Sequence, residues 1–428
     1  MNIYIIIENA NRELFHKAIL ASFLAFEGHK VIIGEKNEFR KKIDALPPGL
    51  IIEKGVMKGS IYRFKKWKTK GHVIFCFDEE SLTYPNDKQY FGLKCDKGIE
   101  NYIDYFFVSG TRHYKTLIKR FKKHQLILTG VPRFELLKNP YKNIFAKKAA
   151  NLKKKYGEYI LICSRFGNVN FYEGKKKKHP KNIYGNYIST SKKIFKNFIK
   201  IPEKISKIYP NNNIIIRPHP SEDPEIWKET LFVNKNFKVI YDDELYPWLL
   251  GSKFVIQNRC STGIEAYFLK KKVISFEPYP MKDEINVLFS NLGKSFKTID
   301  QFNKKNLKYD KNYWTKSHTK KIKHYIENIS GVNSFNIIMK TVKKIDEEIL
   351  LENKVSNINF SLRDRMVVLK DKLFKPKSNF KKYSLHKIGK FDLSKVEEII
   401  RLSNLYYKSV KKMFIKQIGK KIFLIETT

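Results

Sequence analysis

The sequence predicts an α/β fold: two parallel-sheet domains facing a cleft, with a basic, mainly helical C-terminal extension. Three observations predict it. Continuous apolar runs such as NIYIII (2–7) and YILIC (159–163) read as strands buried on both faces, the mark of a parallel sheet. These runs alternate with helical patterns over residues 1–330. A length of 428 residues suits two domains and an appendage.

The elements follow in order. After the first strand come the loop Glu8-Asn9-Ala10-Asn11 and a helix over 12–27, closed by Gly28. A strand at 30–33 completes a β-α-β unit. HVIFCF (72–77) is a strand ending at Asp78; YFFVSG (105–110) is another, followed by a basic helix; LILTG (126–130) runs into the turn Val131-Pro132-Arg133. The polar, Lys-rich stretch 139–157 reads as helical and holds the hinge. The domains are therefore 1–145, 146–330 and the extension 331–428. The second domain opens with YILICSR (159–165), and 171–187, rich in Lys, Gly and Asn, reads as a mobile loop. A helix over 190–208, strands at 213–220 and 237–242, a short helix at 244–250, a strand at 253–259, a helix at 261–269 and a strand at 271–278 complete it. Beyond 330 the pattern turns helical and strongly basic, without recognisable chemistry.

Charge and motifs bound the function. Lys and Arg number 85 against 42 Asp and Glu, a formal net charge of +43. That balance points to an anionic substrate, an acidic membrane surface or nucleic acid. Lys is spread throughout, as an AT-rich genome produces, and much of the charge lies on solvated faces by that reading. No zinc-finger spacing, RRM-type aromatic motif or KH loop appears, which argues against specific nucleic-acid reading. The 4 cysteines (Cys76, Cys95, Cys163, Cys260) form no CxxC pair, so neither a zinc site nor a disulfide framework is expected, and a reducing cytoplasm fits. The N-terminus lacks the basic start of a signal peptide, and no run of 18 apolar residues exists, so any membrane contact is expected to be peripheral. The absence of GxSxG, GxxxxGK[ST] and HExxH disfavours serine hydrolases, P-loop NTPases and zincins.

Polar clusters sit where predicted strands end, the place where open parallel sheets hold ligands. Arg217 and His219, in Arg217-Pro218-His219-Pro220, offer hydrogen-bond donors to phosphate; the plainer reading pairs Arg217 with Glu222 or Asp223 and leaves His219 on the surface. Ser261, Thr262 and Gly263 follow a strand and open a helix, a place for phosphate; alternatively Ser261 caps that helix and Glu265 completes a capping box. Glu265 is also placed to accept from a ribose. Asp78, Glu79 and Glu80 crowd one strand end, where mutual repulsion raises a carboxyl pKa and suits a general base; a solvated acidic turn is the alternative, and the spacing is not that of a metal-binding DxD. Ser164 and Arg165 are candidates for phosphate, Glu8 and Asn9 for an acceptor sugar. Arg133 is expected to fix a turn, and His16, His72 and His113 show no pairing in the sequence that implies catalysis.

The stretches IIIENANREL, FDEES (77–81), ILTGVPRFELL (127–137), IIIRPHPSED (214–223) and NRCSTGIEAYFLKKKVISFEP (258–278) together resemble bacterial surface-carbohydrate biosynthesis proteins of GT-B architecture, two Rossmann-like domains. The resemblance covers roughly residues 1–330. Its His-Pro and Ser/Thr pairs are similar to those of CMP-sugar-dependent sialyl-, polysialyl- and Kdo-transferases. It implies a nucleotide-sugar donor, CMP-linked and acidic, whose phosphate meets His219, Ser261 and Thr262, with a catalytic carboxylate among Asp78, Glu79 and Glu80. Ser81 stands where that pattern usually has Gly. It further implies no required metal or other cofactor and a glycan or lipid-linked glycan acceptor; the basic C-terminal extension is expected to dock the cytoplasmic protein on the anionic inner membrane face. A glycerol- or ribitol-phosphate transferase, a sugar-nucleotide epimerase and a non-enzymatic polyanion-binding protein are the alternatives.

Overall fold

The computed structural model describes residues 1–84, 86–172, 181–230, 236–240, 244–281, 288–308, 313–331, 333–350, 389–403 and 411–428, with backbone alone at 181–186, 230 and 349–350. Its strands are β1 (Asn2–Ile7), β2 (Lys30–Glu35), β3 (Leu50–Glu53), β4 (Val73–Cys76), β5 (Tyr105–Val108), β6 (Leu126–Leu128), β7 (Tyr159–Cys163), β8 (Asn213–Arg217), β9 (Phe237–Val239), β10 (Val255–Gln257), β11 (Val273–Phe276), β12 (Lys294–Phe296), β13 (Met413–Gly419) and β14 (Ile422–Thr427). The helices are α1 (Ala10–Phe26), α2 (Lys36–Ile43), α3 (Ile61–Thr69), α4 (Asp87–Lys94), α5 (Thr111–Leu117), α6 (Ala146–Tyr156), α7 (Lys181–Phe198), α8 (Ile201–Ile208), α9 (Pro224–Thr230), α10 (Leu245–Gly251), α11 (Thr262–Phe268), α12 (Lys304–Leu307), α13 (Lys316–Tyr325), α14 (Ser334–Leu350) and α15 (Leu393–Ser403). The chain divides into two units: Met1–Leu136 with the described residues from Lys323 onward, and Leu137–Ile322. Both are built on parallel sheets, the GT-B-like class the sequence predicts.

Unit 1 carries the sheet β13-β14-β2-β1-β3-β4-β5-β6. From β2 to β6 every pairing is parallel. The run NIYIII forms a strand because both of its faces are covered: all six residues are buried, and Ile5 lies opposite Ile33 on one side and Ile52 on the other. Each such aliphatic side chain taken from water contributes roughly 1.5–3 kcal/mol. Helix α1 is buried around nearly its whole circumference, which for a helix means cover on two sides. The sheet supplies one cover and the C-terminal helices the other: Phe23 meets Phe335 of α14 edge-to-face at 5.8 Å, and Ser22 Oγ lies 2.7 Å from Ser403 Oγ of α15.

The extension is thus helical where α14 and α15 lie, but it also ends in a hairpin, which the sequence reading did not anticipate. Strand β14 pairs antiparallel with β2, Phe423 opposite Ile33 and Ile425 opposite Val31. Phe423 and Ile425 are fully buried, and β2 is covered where it would otherwise present a bare edge. The described residues from 333 onward therefore belong to the fold of unit 1.

Unit 2 carries the all-parallel sheet β12-β11-β10-β7-β8-β9. Ile160, Ile162, Ile214, Ile216, Ile256 and Ile274 from its strands pack against Phe198, Trp227 and Phe276. The helix expected over 190–208 is two, α7 and α8, broken where Pro202 occupies the first turn of α8. Helix α7 begins at Lys181, inside the segment expected to be a loop; 173–180 lie outside the described residues. Strand β9 ends at Val239, and positions 241–242 of the expected strand also lie outside them.

Candidate active site

Strand order fixes where ligands can lie. In unit 2 the chain runs from β7 outward through β8 and β9, then restarts on the other side with β10, β11 and β12. The crossovers on the two sides of the β7/β10 junction therefore diverge and leave a crevice at the carboxyl ends, the switch point of an open α/β sheet. Unit 1 has the same feature between β1 and β3.

At the switch point of unit 2, Arg165 follows β7 and Asn258 and Arg259 follow β10. Arg165 bridges the junction: its backbone N–H donates to Asn258 Oδ1 at 2.9 Å and its Nη1 to the Arg259 carbonyl at 3.4 Å. Arg259 holds φ at 48°, a left-handed conformation that costs a non-glycine residue on the order of 1 kcal/mol. Its Nη1 lies 3.6 Å from Glu277 Oε2 at the end of β11. These residues, with Phe166, Tyr187, Ser191, Ile194, Phe276 and Met281, line a pocket. Two guanidiniums, an amide and a carboxylate over an apolar floor are what a phosphorylated, hydroxyl-rich ligand requires. Sequence reasoning named Arg165 but gave no role to Asn258, Arg259 or Glu277, although each stands where a predicted strand ends.

Glu222 organises the neighbouring loop. Buried to 1% exposure, it accepts from Ser164 Oγ (3.0 Å), Phe166 N (2.9 Å), His219 N (3.1 Å) and Trp227 Nε1 (3.1 Å). Burial pushes its carboxyl up, against the pull of these donors. Glu222 is thus committed to the loop backbone and Ser164, and the Arg217 guanidinium lies over the Trp248 ring, 5.4 Å from its centre. His219 Nδ1 accepts from Ser221 N at 3.2 Å and lies 2.8 Å from Ser221 Oγ. That acceptor role places the ring proton on Nε2. Gly167 is required beside it, because a Cβ there would collide with Ser221 Oγ.

The start of α11 differs from expectation. Ser261 is helical (φ −57°, ψ −23°) and its side chain caps nothing, so no capping box forms with Glu265. The amides of Gly263, Ile264 and Glu265 donate to the carbonyls of Cys260 and Ser261, and Thr262 Oγ1 lies 3.2 Å from Cys260 Sγ. Thr262 and Glu265 are buried, and Ser261 is half-buried.

In unit 1, the ends of β1, β3 and β4 bring Glu8 and Asn9, Glu53 and Lys54, and Asp78–Glu80 side by side. Lys36 and Lys54 both pair with Glu8, the former at 2.9 Å. Glu53, fully buried, takes a two-pronged bond from Arg40 at 3.0 and 2.7 Å.

The three consecutive carboxylates are separated, each by its own cations. Asp78 accepts from Glu80 N at 2.9 Å, from Lys94 at 3.3 Å and from the Tyr90 hydroxyl. Behind Tyr90, His113 Nε2 stands at 3.1 Å and takes Ser109 N–H on Nδ1 at 3.4 Å. Burial lowers the His113 pKa to about 4, so it is neutral and donates to Tyr90. Glu80 pairs with Arg12 at 3.3 Å. Glu79 meets His16 Nε2 at 3.3 Å and Lys17 Nζ at 3.4 Å. Burial works to raise the Glu79 carboxyl, but Lys17, His16 and Arg133 overcome it and hold the group well down; Glu80, whose side chain is about half exposed, is held down by Arg12, Lys94, Lys54 and Arg133. The raised carboxyl of this cluster is instead Glu13, lifted by burial although Lys17 lies 2.8 Å away. His16, read as unpaired from the sequence, is the partner of Glu79. Their contact spans 63 residues of chain, beyond the reach of any local pattern.

Among the described residues, no group of three or more His, Cys, Asp or Glu side chains is placed to hold a metal ion, and no helix is long and apolar enough to cross a membrane.

No protein-family model matches the chain, and no curated protein matches it. Solved structures do. One is described as the UDP-GlcNAc 2-epimerase from Methanocaldococcus jannaschii: TM-score 0.53, 12% identity, 80% of this chain and 100% of that one covered. A second, a UDP-N-acetylglucosamine 2-epimerase, gives TM-score 0.51, 11% identity, and 84% and 98% coverage. A third, the wall teichoic acid polymerase TagF, gives TM-score 0.53, 10% identity, and 82% and 90% coverage. At these identities the likeness establishes the fold: this chain has the GT-B-like architecture of two parallel-sheet domains.

Proposed function

We propose that this chain is a glycosyltransferase that moves a sugar from a nucleotide donor to a growing surface glycan. The observation that carries the reading is the polar pocket at the switch point of unit 2, where Arg165 and Arg259 offer guanidiniums to phosphate and Asn258 and Glu277 offer partners to hydroxyls. Arg217, His219, Ser164, Ser261, Thr262 and Glu265 surround this end of the sheet, and neutralising the leaving phosphate there lowers the barrier to breaking the glycosidic bond. The acidic turn Asp78-Glu79-Glu80 supplies the charge that drives deprotonation of an acceptor hydroxyl, and Glu8 and Asn9 contact the acceptor. The fold shared with UDP-GlcNAc 2-epimerases and TagF supports a scaffold for nucleotide-linked substrates. The sequence resemblance favours a CMP-linked acidic sugar. On this reading neither a metal nor another cofactor is required. The acceptor is a glycan or a lipid-linked glycan, and the basic residues from 331 onward hold the enzyme peripherally on the anionic inner face of the cytoplasmic membrane.

The same likeness favours one other reading, a sugar-nucleotide epimerase, and TagF extends it to a glycerol- or ribitol-phosphate transferase. One experiment separates them. The full chain is screened by thermal shift against CMP-, CDP- and UDP-linked sugars and CDP-linked polyols, and the stabilising compounds are then followed by NMR with and without a glycan acceptor. Transfer that needs the acceptor supports the proposal. A new sugar isomer formed from donor alone means an epimerase, and consumption of CDP-polyol means the phosphate transferase. Stabilisation by none of them, together with salt-steep binding to generic polyanions, means a non-enzymatic polyanion binder.

A further inference from the structure

The cluster between α1 and the acidic turn holds three side chains whose polar atoms are buried and unmatched. His16 Nδ1, Asn9 Oδ1 and Arg133 Nε accept or donate no hydrogen bond, while the three side chains are 3%, 7% and 3% exposed. A buried polar atom without a partner costs about 1–3 kcal/mol, so three in one place point to a ligand. Asn9 immediately precedes α1 as its N-cap residue, and Arg12 and His16 stand at i and i+4 on the helix and so share one face. The turn carrying Glu79 and Glu80 docks on that face through His16 and Arg12, and the Arg133 charge acts on both carboxylates.

The tautomer of His16 follows from its partner. An ionised carboxylate only accepts hydrogen bonds, so the ring nitrogen facing Glu79, Nε2, carries the proton. Nδ1 is then a bare lone pair, buried and without a donor. A ring proton held by a carboxylate on one nitrogen and a free lone pair on the other is the arrangement of a general base with its orienting group.

We propose that unit 1 contains a proton-transfer site in which His16 Nδ1 takes the proton of the acceptor hydroxyl and Glu79 positions the ring, with Asn9 and Arg133 gripping the acceptor. The proposal deepens the glycosyltransferase reading and rests on it. In the step, the acceptor O–H bond breaks and its proton passes to Nδ1. The oxygen bonds the anomeric carbon of the donor sugar, and the carbon–oxygen bond to the nucleotide phosphate breaks, its electron pair leaving on phosphate. His16 ends as an imidazolium against the Glu79 carboxylate and returns the proton to water. Asp78, tied to Tyr90, Lys94 and the Glu80 amide, anchors the turn. The charges facing His16 are Glu13, Lys17 and Arg12 on its own helix, Glu79 and Glu80 on the turn, and Arg133.

The test uses the full chain with the donor and acceptor that support transfer, and the variants His16→Gln and Glu79→Gln. His16→Gln is expected to lower kcat by about 10²–10⁴-fold while the thermal shift given by the donor stays at the wild-type value. Glu79→Gln is expected to lower kcat and to move the acidic limb of the kcat profile to lower pH, because the imidazolium loses its counter-charge. A merely structural Glu79 would leave that limb in place. Long-range ¹H–¹⁵N correlation spectra of histidine-labelled wild type, assigned by the signal lost in His16→Gln, should show the Nε2-protonated ring. Transfer within tenfold of wild type in His16→Gln, or an Nδ1-protonated ring, overturns the assignment of His16 alone. If the wild type transfers sugar from no donor, the glycosyltransferase reading falls and this proposal with it. Should His16→Gln fail to fold, the limb shift in Glu79→Gln and the ring tautomer decide the matter.

Discussion

Ser164 shares its hydroxyl hydrogen with Glu222, both carboxylate oxygens of which lie 3.0 Å from Ser164 Oγ. The bond ties the end of β7 to the loop after β8, and the same carboxylate gathers Phe166 N, His219 N and Trp227 Nε1. Replacing Glu222 with Ala would leave all four donors buried and unmet. We expect a loss of about 3 kcal/mol or more in unfolding free energy, read by urea denaturation. Ser164→Ala, which removes only one donor, should cost about 1 kcal/mol. Equal losses in the two variants would mean that Glu222 does not organise the loop.

Arg165 is half-buried, and its guanidinium meets the protein through one 3.4 Å bond to a carbonyl. Most of its charge is therefore available to a ligand. Arg165→Ala should raise the Kd for the stabilising nucleotide about 10–100-fold, the value of one charge-assisted hydrogen bond, while the Tm without ligand stays close to wild type. Calorimetric titration checks the first and thermal denaturation the second. A Tm that falls with an unchanged Kd would reassign Arg165 to structure.

The parallel strands were legible in the sequence because their cause is local: NIYIII, YILIC and NIIIR each carry an unbroken apolar run, as burial on both faces demands. Strands β3 and β12 escaped, one for its four-residue length and the other because KSF is mostly polar. Strand ends pointed to Arg165, His219 and the acidic turn for the same local reason. The His16–Glu79 and Ser164–Glu222 pairs depend on strand order and on which helix face docks where, and single-chain periodicity carries neither. One signal could have been read. Helix α1 is apolar from Ala18 to Phe26 with only Ser22 between, too much for a one-sided helix, and that demanded the second cover which α14 and α15 provide.

Glu79 gives stability a pH dependence with a definite sign. Its folded-state carboxyl lies well below the ordinary range, mainly because Lys17 and His16 outweigh its burial. Between the folded and unfolded values the unfolded chain binds more protons, so this contribution is intact above about pH 4.5 and fades as pH falls toward the folded value. Glu79→Gln should remove about 3 kcal/mol at pH 7, since it leaves Lys17 buried with Glu13 as its main counter-charge. It should also flatten the loss on acidification. Parallel wild-type and variant curves of unfolding free energy between pH 7 and pH 3 would contradict this.

The C-terminal hairpin makes the last prediction. Phe423 is fully buried on β14 and stands opposite Ile33, and its ring lies 5.2 Å from that of Phe391. Phe423→Ala removes a core aromatic and should cost about 3–5 kcal/mol. Truncation before residue 411 does something different: it strips β14 from β2 and bares a row of backbone donors and acceptors beside Val31, Ile32 and Ile33. A bare edge of that composition recruits other chains. Light scattering should therefore show concentration-dependent association for the truncated chain but not for Phe423→Ala, at temperatures where both keep their far-ultraviolet circular dichroism. If the truncated chain stays monomeric and as stable as wild type, the hairpin is an ornament, and the extension is the separate appendage that its sequence first implied.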